Sequence, residues 1–295
     1  MQSLIDFLLN LPQPVFFKTT LIPLLETNGF VESRSILNNL HSILYIALFY
    51  QTAFLFSIWF LFPPHVNRKF KDEKDDEKKR HNLVIQSGIH FISFLQTVVV
   101  LYLSIGILKQ REMLSIRYPS SEERIFGENR DTQTVCLFAL GYFIWDICIS
   151  AVYSTLPFVL HGVVSTIVYF IGLKPYLQYY APVFLIFEIS NPFLNFRWFG
   201  LKYVPNWDKT LLFNNLILMI TFFLGRIAWG WYQIAVLCID FYNVRNMPQY
   251  RPLDTWIIVI GNLILDVLNV VWFSSMVSVA IKVIKGKNDQ AKNST

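Results

Sequence analysis

Residues 83–108 contain no Lys, Arg, Asp or Glu. As a helix they would extend ~39 Å at 1.5 Å per residue, enough to cross the roughly 30 Å hydrocarbon core of a bilayer. A soluble domain interrupts its apolar stretches far more often, with about 25% charged residues. In this chain of 295 residues the charged fraction is 15% and the hydrophobic fraction 54%. Comparable runs, each broken by few charges, recur at 42–62, 133–153, 156–173, 178–196, 209–241 and 255–284. Backbone groups in hydrocarbon must be satisfied within their own segment, so each run reads as a helix. The pattern predicts an all-α polytopic membrane protein of about seven transmembrane helices.

The remaining segments are organised around those spans. Residues 1–41 hold apolar patches broken by Pro12, Pro14 and Pro23, too short to span and suited to the bilayer surface. No positive segment precedes a clean apolar core there, so a cleaved signal peptide is not expected. The loop at 63–82 carries RKFKDEKDDEKKR at 68–80. It reads as a solvated connector with helical Glu/Lys pairs, or as a dock for anionic lipid or a partner. A single domain of about six helices follows over 83–284, and the basic tail 285–295 is expected to be disordered. Lys and Arg favour the loops that share a side with the tail, which puts the C-terminus in the cytosol. The net charge of +5 sits in such loops, so nucleic acid is not an expected partner. Cys136, Cys148 and Cys238 form no CxxC pair and lack histidines at zinc spacing. Neither a metal nor a disulfide framework is indicated.

The few polar groups inside the spans narrow the function. Ionisable side chains in hydrocarbon cost a few kcal/mol or more and are usually paired or functional. Counting inward from the putative cytosolic face, His161 lies ~7 Å deep and Asp146 and Glu188 ~12 Å deep, one slab on three consecutive spans. Two readings fit them: a histidine base oriented by a carboxylate, or a hydrogen-bonded cluster that joins three helices. Arg226 and Asp266 come out at ~25 and ~27 Å on adjacent spans, which predicts a buried charge pair. Gln86, His90, Ser93 and Thr97 share one helix face, a polar stripe turned toward protein or a cavity. His90 is either a structural or a catalytic member of that stripe. Asn191-Pro192 should kink or end its helix, and Asn191 and Asn195 could satisfy the freed backbone groups or a headgroup. Arg197 and Trp198 suit an interfacial anchor. No serine elbow, HExxH, P-loop or GxGxxG accompanies these residues, and no cofactor is expected.

Taken together, FIWDICIS around Asp146, LPFVLHG with His161, FEISNPFLNFRWF at 187–199, Arg226 and LNVVWF at 268–273 resemble the TLC (TRAM–LAG1–CLN8) domain family. The resemblance covers about residues 80–285, nearest the transmembrane-56-like branch and its fungal members. It implies an endoplasmic reticulum-type membrane protein whose helices enclose a lipid-accessible cavity. Asp146, His161, Glu188 and His90 would line that cavity, with Asn191, Asn195 and Arg197 ordering its rim. The family's ceramide synthases join an acyl group from acyl-CoA to a sphingoid base, with a His-His pair where this chain has His161-Gly162. The motif that follows the pair in those enzymes is absent here as well. The resemblance therefore implies membrane lipid homeostasis, with lipids as partners, rather than ceramide synthesis. Two alternatives stand beside it. One is an acyl-CoA-dependent acyltransferase with His161 as base and Asp146 beside it. The other is a cargo receptor or translocation accessory that uses the loops at 63–82 and 109–132.

Overall fold

The computed structural model describes residues 1–28, 33–70, 77–204 and 208–293, with side chains described to Lys282. Every regular element among them is helical. Helix α1 (Gln2–Leu9) buries Ile5 and Leu8 in the main core. A π-turn at Phe17–Leu21 leads into α2 (Ile22–Thr27), where Pro23 occupies a first-turn position that needs no N–H. The Tyr45 hydroxyl donates to the Pro12 carbonyl at 3.0 Å, tying the N-terminal segment to the bundle.

Helix α3 (Arg34–Phe56) continues through a π-turn at Ser57–Leu61 into α4 (Pro63–Lys69). Within the charged connector, residues 71–76 lie outside the described residues, and the far end opens α5 (Glu77–Leu108). Two short helices follow, α6 (Arg111–Arg117) and α7 (Ser121–Phe126). Then α8 (Arg130–Tyr153) and α9 (Leu156–Gly172) form the expected antiparallel hairpin, packed along their length with a turn at Ser154-Thr155. The link to the next segment places Leu177 at φ 68°, a left-handed conformation rare for a branched side chain. Its amide donates to the Ile125 carbonyl at 2.7 Å and its side chain is buried, which holds the strained turn in place.

The run at 178–196 is not one α-helix. It divides into α10 (Tyr180–Phe184), a 3₁₀ segment (Leu185–Ser190) and α11 (Asn191–Tyr203). Pro182 and Pro192 each lack a backbone donor, and the 3₁₀ turn lies between them. Helix α12 (Asp208–Phe222) passes through a π-turn at Phe223–Ala228 into α13 (Trp229–Val244). Last comes α14 (Pro252–Asn293), whose backbone stays helical through the tail expected to be disordered.

Five of the continuous helices are long and apolar enough to cross a membrane: Arg34–Lys69, Glu77–Leu108, Arg130–Tyr153, Asp208–Val244 and Pro252–Lys282. The expected fourth span is shorter, at 17 residues, and the fifth is the broken one. The protein is thus all-α and integral to the membrane. Large apolar side chains such as Trp59, Phe60, Leu212 and Trp256 face outward, as a lipid-facing surface requires. One core cluster lies among α3, α5 and α8, around Tyr50, Ile92 and Phe138. A second lies where Tyr176 and Leu177 meet Leu237 and Phe241 of α13.

Candidate functional site

The buried polar groups converge on one guanidinium. Arg226 is 5% exposed and sits in the π-turn, whose extra residue re-aims the side chains that follow it. Its Nε donates to the Phe187 carbonyl at 3.0 Å and to Ser190 Oγ at 3.2 Å. Nη1 donates to Asn269 Oδ1 at 3.3 Å and Nη2 to Asn191 Oδ1 at 2.8 Å. Nη2 also lies 3.6 Å from Glu188 Oε1, and the guanidinium stands 5.1 Å over the Phe222 ring. The other oxygen of Glu188 accepts from Thr97 Oγ1 at 3.1 Å and from Asn191 Nδ2 at 2.5 Å. Farther along, Asn195 donates to Ser93 Oγ at 3.3 Å and faces His90 Nδ1 at 2.8 Å. The His90 ring stacks on Trp198 with centroids 4.3 Å apart. The polar stripe of α5 is thereby spent on the broken helix, except Gln86, whose amide reaches the Tyr153 carbonyl at 3.4 Å.

The expected pair of Arg226 with Asp266 is not formed. Asp266 is 2% exposed, its Oδ2 has no hydrogen-bond partner, and it lies against Gly230. Depth counted along a straight helix says nothing about rotation, and the π-turn shifts the faces of α13 relative to α12. The 3₁₀ segment meanwhile carries Glu188, Ser190 and the Phe187 carbonyl to Arg226. Arg197 makes no hydrogen bond or ion pair among the described residues.

Beside this network lies a cavity walled by α8, α9, the broken helix, α13 and α14. Its volume, counted with the open space at its mouth, is about 770 Å³. Phe143, Val168, Leu177, Phe184 and Leu237 supply apolar wall, and His161, Glu188, Arg226, Asn262 and Asn269 supply polar wall. His161 is flanked by Phe143 at 5.9 Å and Trp272 at 5.7 Å, both edge-on, and its Nδ1 is buried without a partner.

His161 and Asp146 do not form the dyad their shared depth invited. Asp146 is absent from the cavity wall and accepts only a long bond, 3.5 Å, from Ser150 Oγ. It packs instead against Gly162, where an added Cβ would stand 3.2 Å from Asp146 Oδ2 and 3.0 Å from Ile147 Cγ1. Neighbouring residues on a helix point to different faces, so the cavity takes residue 161 and the α8 contact takes residue 162. A histidine at 162 would have no room without parting the two helices. His90, Asn191, Asn195 and Arg197 also lie off the cavity wall, with the first three forming the polar network behind it. No cluster of three or more metal-ligating side chains occurs among the described residues, and the three cysteines are free.

A second polar cluster had no signature in the spacing of the sequence. Arg124 of α7 grips Asp240 of α13 through Nε and Nη2, both at 2.6 Å. The Tyr180 hydroxyl donates to the same carboxylate at 2.5 Å and Ser121 Oγ at 2.8 Å. The hydrogen bond to Asp240 raises the Arg124 pKa above its ordinary value. Nearby, Lys174 Nζ binds Asp254 at 2.9 Å.

With fold and site in view, the comparisons agree. The TLC domain model matches residues 86–278, and this chain belongs to the TLC-domain family of membrane proteins. An uncharacterized TLC domain-containing protein of Saccharomyces cerevisiae is 54% identical, over 95% of this chain and 96% of that one. Topoisomerase I damage affected protein 4 of the same yeast is 29% identical, over 86% and 88%. TLC domain-containing protein 4 of Homo sapiens is 34% identical over 53% of this chain and 62% of its own. No solved structure matches the chain.

Proposed function

We propose that this TLC-domain protein acts in membrane lipid homeostasis by holding a lipid acyl chain in the cavity beside Arg226. One observation carries the reading: a mostly apolar cavity with a few polar groups in its wall, built inside a helix bundle whose outer surface is apolar. That combination is the usual make-up of a small-molecule site, and hydrocarbon is the solvent next to it. An endoplasmic reticulum location and a cytosolic C-terminus belong to the same proposal, from family resemblance and the Lys/Arg bias.

Purified protein should retain lipid through gel filtration, detectable by native mass spectrometry. Ser165→Trp, which fills the cavity wall, should abolish that retention while the protein stays monodisperse. Retention unchanged by the plug would end the cavity reading. In cells, His161→Ala at normal abundance should shift the lipid profile.

A transferase reading has one observation of its own, the partnerless Nδ1 of His161 in the cavity wall. A histidine base is ordinarily held in one tautomer by a second group, and none holds this one. Labelled acyl-CoA offered with amine and alcohol acceptors separates the two. Transfer to any acceptor would favour the enzyme.

A further inference from the structure

Resting on the cavity reading, we infer that the ligand is a single acyl chain ending in an uncharged ester, amide or hydroxyl group, not in a carboxylate, phosphate or amine. The inference follows from the charges that line the cavity. Its wall holds one guanidinium and one carboxylate, Arg226 and Glu188, 3.6 Å apart, so their formal charges cancel. Three of the five N–H groups of Arg226 are held by Phe187, Ser190, Asn191 and Asn269, and its charge is matched by Glu188, which anchors it to the protein and leaves no net positive charge for an anion. An arriving carboxylate would bring a charge with no free counter-charge, and an uncompensated buried charge costs several kcal/mol. Two other acids nearby, the half-buried Asp146 and the buried Asp266, lie off the cavity wall and carry no cation partner among the described residues. If ionised they add negative potential, which disfavours anions further.

What the wall does leave over is neutral hydrogen-bonding capacity. His161 Nδ1 has no partner. Asn262 uses its amide N–H on the Ile258 carbonyl and keeps its oxygen, while Asn269 uses its oxygen on Arg226 and keeps its N–H. A donor, an acceptor and an imidazole match a group that both gives and takes hydrogen bonds without charge. A cavity of about 770 Å³, counted with the open space at its mouth, is the size of a single small-molecule site, which limits the apolar part to one chain.

The experiment uses three 18-carbon probes with the same chain: monoolein, oleate and oleylamine. Each is offered at pH 8 to the full-length protein in nanodiscs, and bound fractions are read by native mass spectrometry. Monoolein should bind at least about tenfold more tightly than either charged probe, which is about 1.4 kcal/mol. Tighter binding of oleate or oleylamine overturns the inference and leaves the cavity reading standing. Failure of all three to bind, or binding of all three that Ser165→Trp leaves unchanged, overturns the cavity reading itself. Glu188→Gln makes the wall formally cationic and should move the preference to oleate. Should that variant fail to fold, His161→Leu supplies the second test. It should lower monoolein affinity by about tenfold and leave oleate unchanged, a split that a general packing defect would not produce.

Discussion

Arg226 and Arg124 both hold a carboxylate, the partly buried Glu188 and the buried Asp240, and they do so in different ways. Arg124, in a short helix outside the spans, meets Asp240 as a fork on two oxygens, with Tyr180 and Ser121 completing the shell. Arg226, inside the bundle, stands 3.6 Å from Glu188 and distributes its donors over two asparagines, a serine and a carbonyl. The first arrangement is a clamp. It fastens α7 to α13 and, through Tyr180, the start of the broken helix. The second is a hub that neutralises one charge while joining α5, the broken helix, the π-turn and α14. A clamp depends on one partner and tight geometry, whereas a hub depends on many partners with looser geometry. The cavity borders the hub, where irregular backbone brings polar groups into apolar wall.

The largest effect should come from breaking the hub. Arg226→Met leaves Glu188 without its counter-charge and should cost about 3–5 kcal/mol, read as a lower midpoint of thermal unfolding in detergent. Pairing it with Glu188→Met should recover most of that loss. If the single change is neutral, Arg226 is no hub.

The clamp should be weaker to lose. Arg124→Ala removes charge-assisted hydrogen bonds and should cost about 1.5–3 kcal/mol, with amide exchange in α7 rising most. Arg124→Lys should restore under half of the stability, since an ammonium cannot reproduce the two-pronged contact. Full rescue by lysine would mean that charge alone matters there.

Gly162 tests the wall between the two halves of the slab. Gly162→Ala places a methyl 3.0 Å from Ile147 and 3.2 Å from Asp146, and should cost about 1–3 kcal/mol by overpacking. Gly162→His should cost more and should not create transferase activity. Folded protein with unchanged stability would refute the close α8–α9 contact.

The smallest effect belongs to the cap of α7. Ser120 and Glu123 form a reciprocal capping box, and the Ser120 hydrogen bond holds the Glu123 carboxyl below its ordinary pKa. A lowered carboxyl stabilises the folded form above its unfolded pKa, and that contribution disappears as pH falls through the lowered value. Ser120→Ala should therefore speed amide exchange in α7 at neutral pH and make little difference in acid. An equal effect at both pH values would show that the Glu123 charge contributes nothing to the box.

Much of the hub was legible before any coordinates. The stripe of His90, Ser93 and Thr97 follows from helical periodicity, and it meets Asn195 and Glu188 as a stripe turned toward protein should. The break at Pro192 follows from the missing donor. What was not legible is rotation. Asp146 and His161 share a slab yet face different neighbours, and Arg226 turns from Asp266 to Glu188 across a π-turn with no marked signature in the residues. The Arg124–Asp240 clamp spans 116 positions, with no local pattern to announce it.

By itself, then, the sequence determined the membrane-embedded helical class and the family. Each of these depends on composition and on rise along an axis, quantities that add up residue by residue. Partner choice was decided only by the tertiary structure. It depends on the angle of each side chain about its helix, and one π-turn or one 3₁₀ segment resets that angle for everything beyond it.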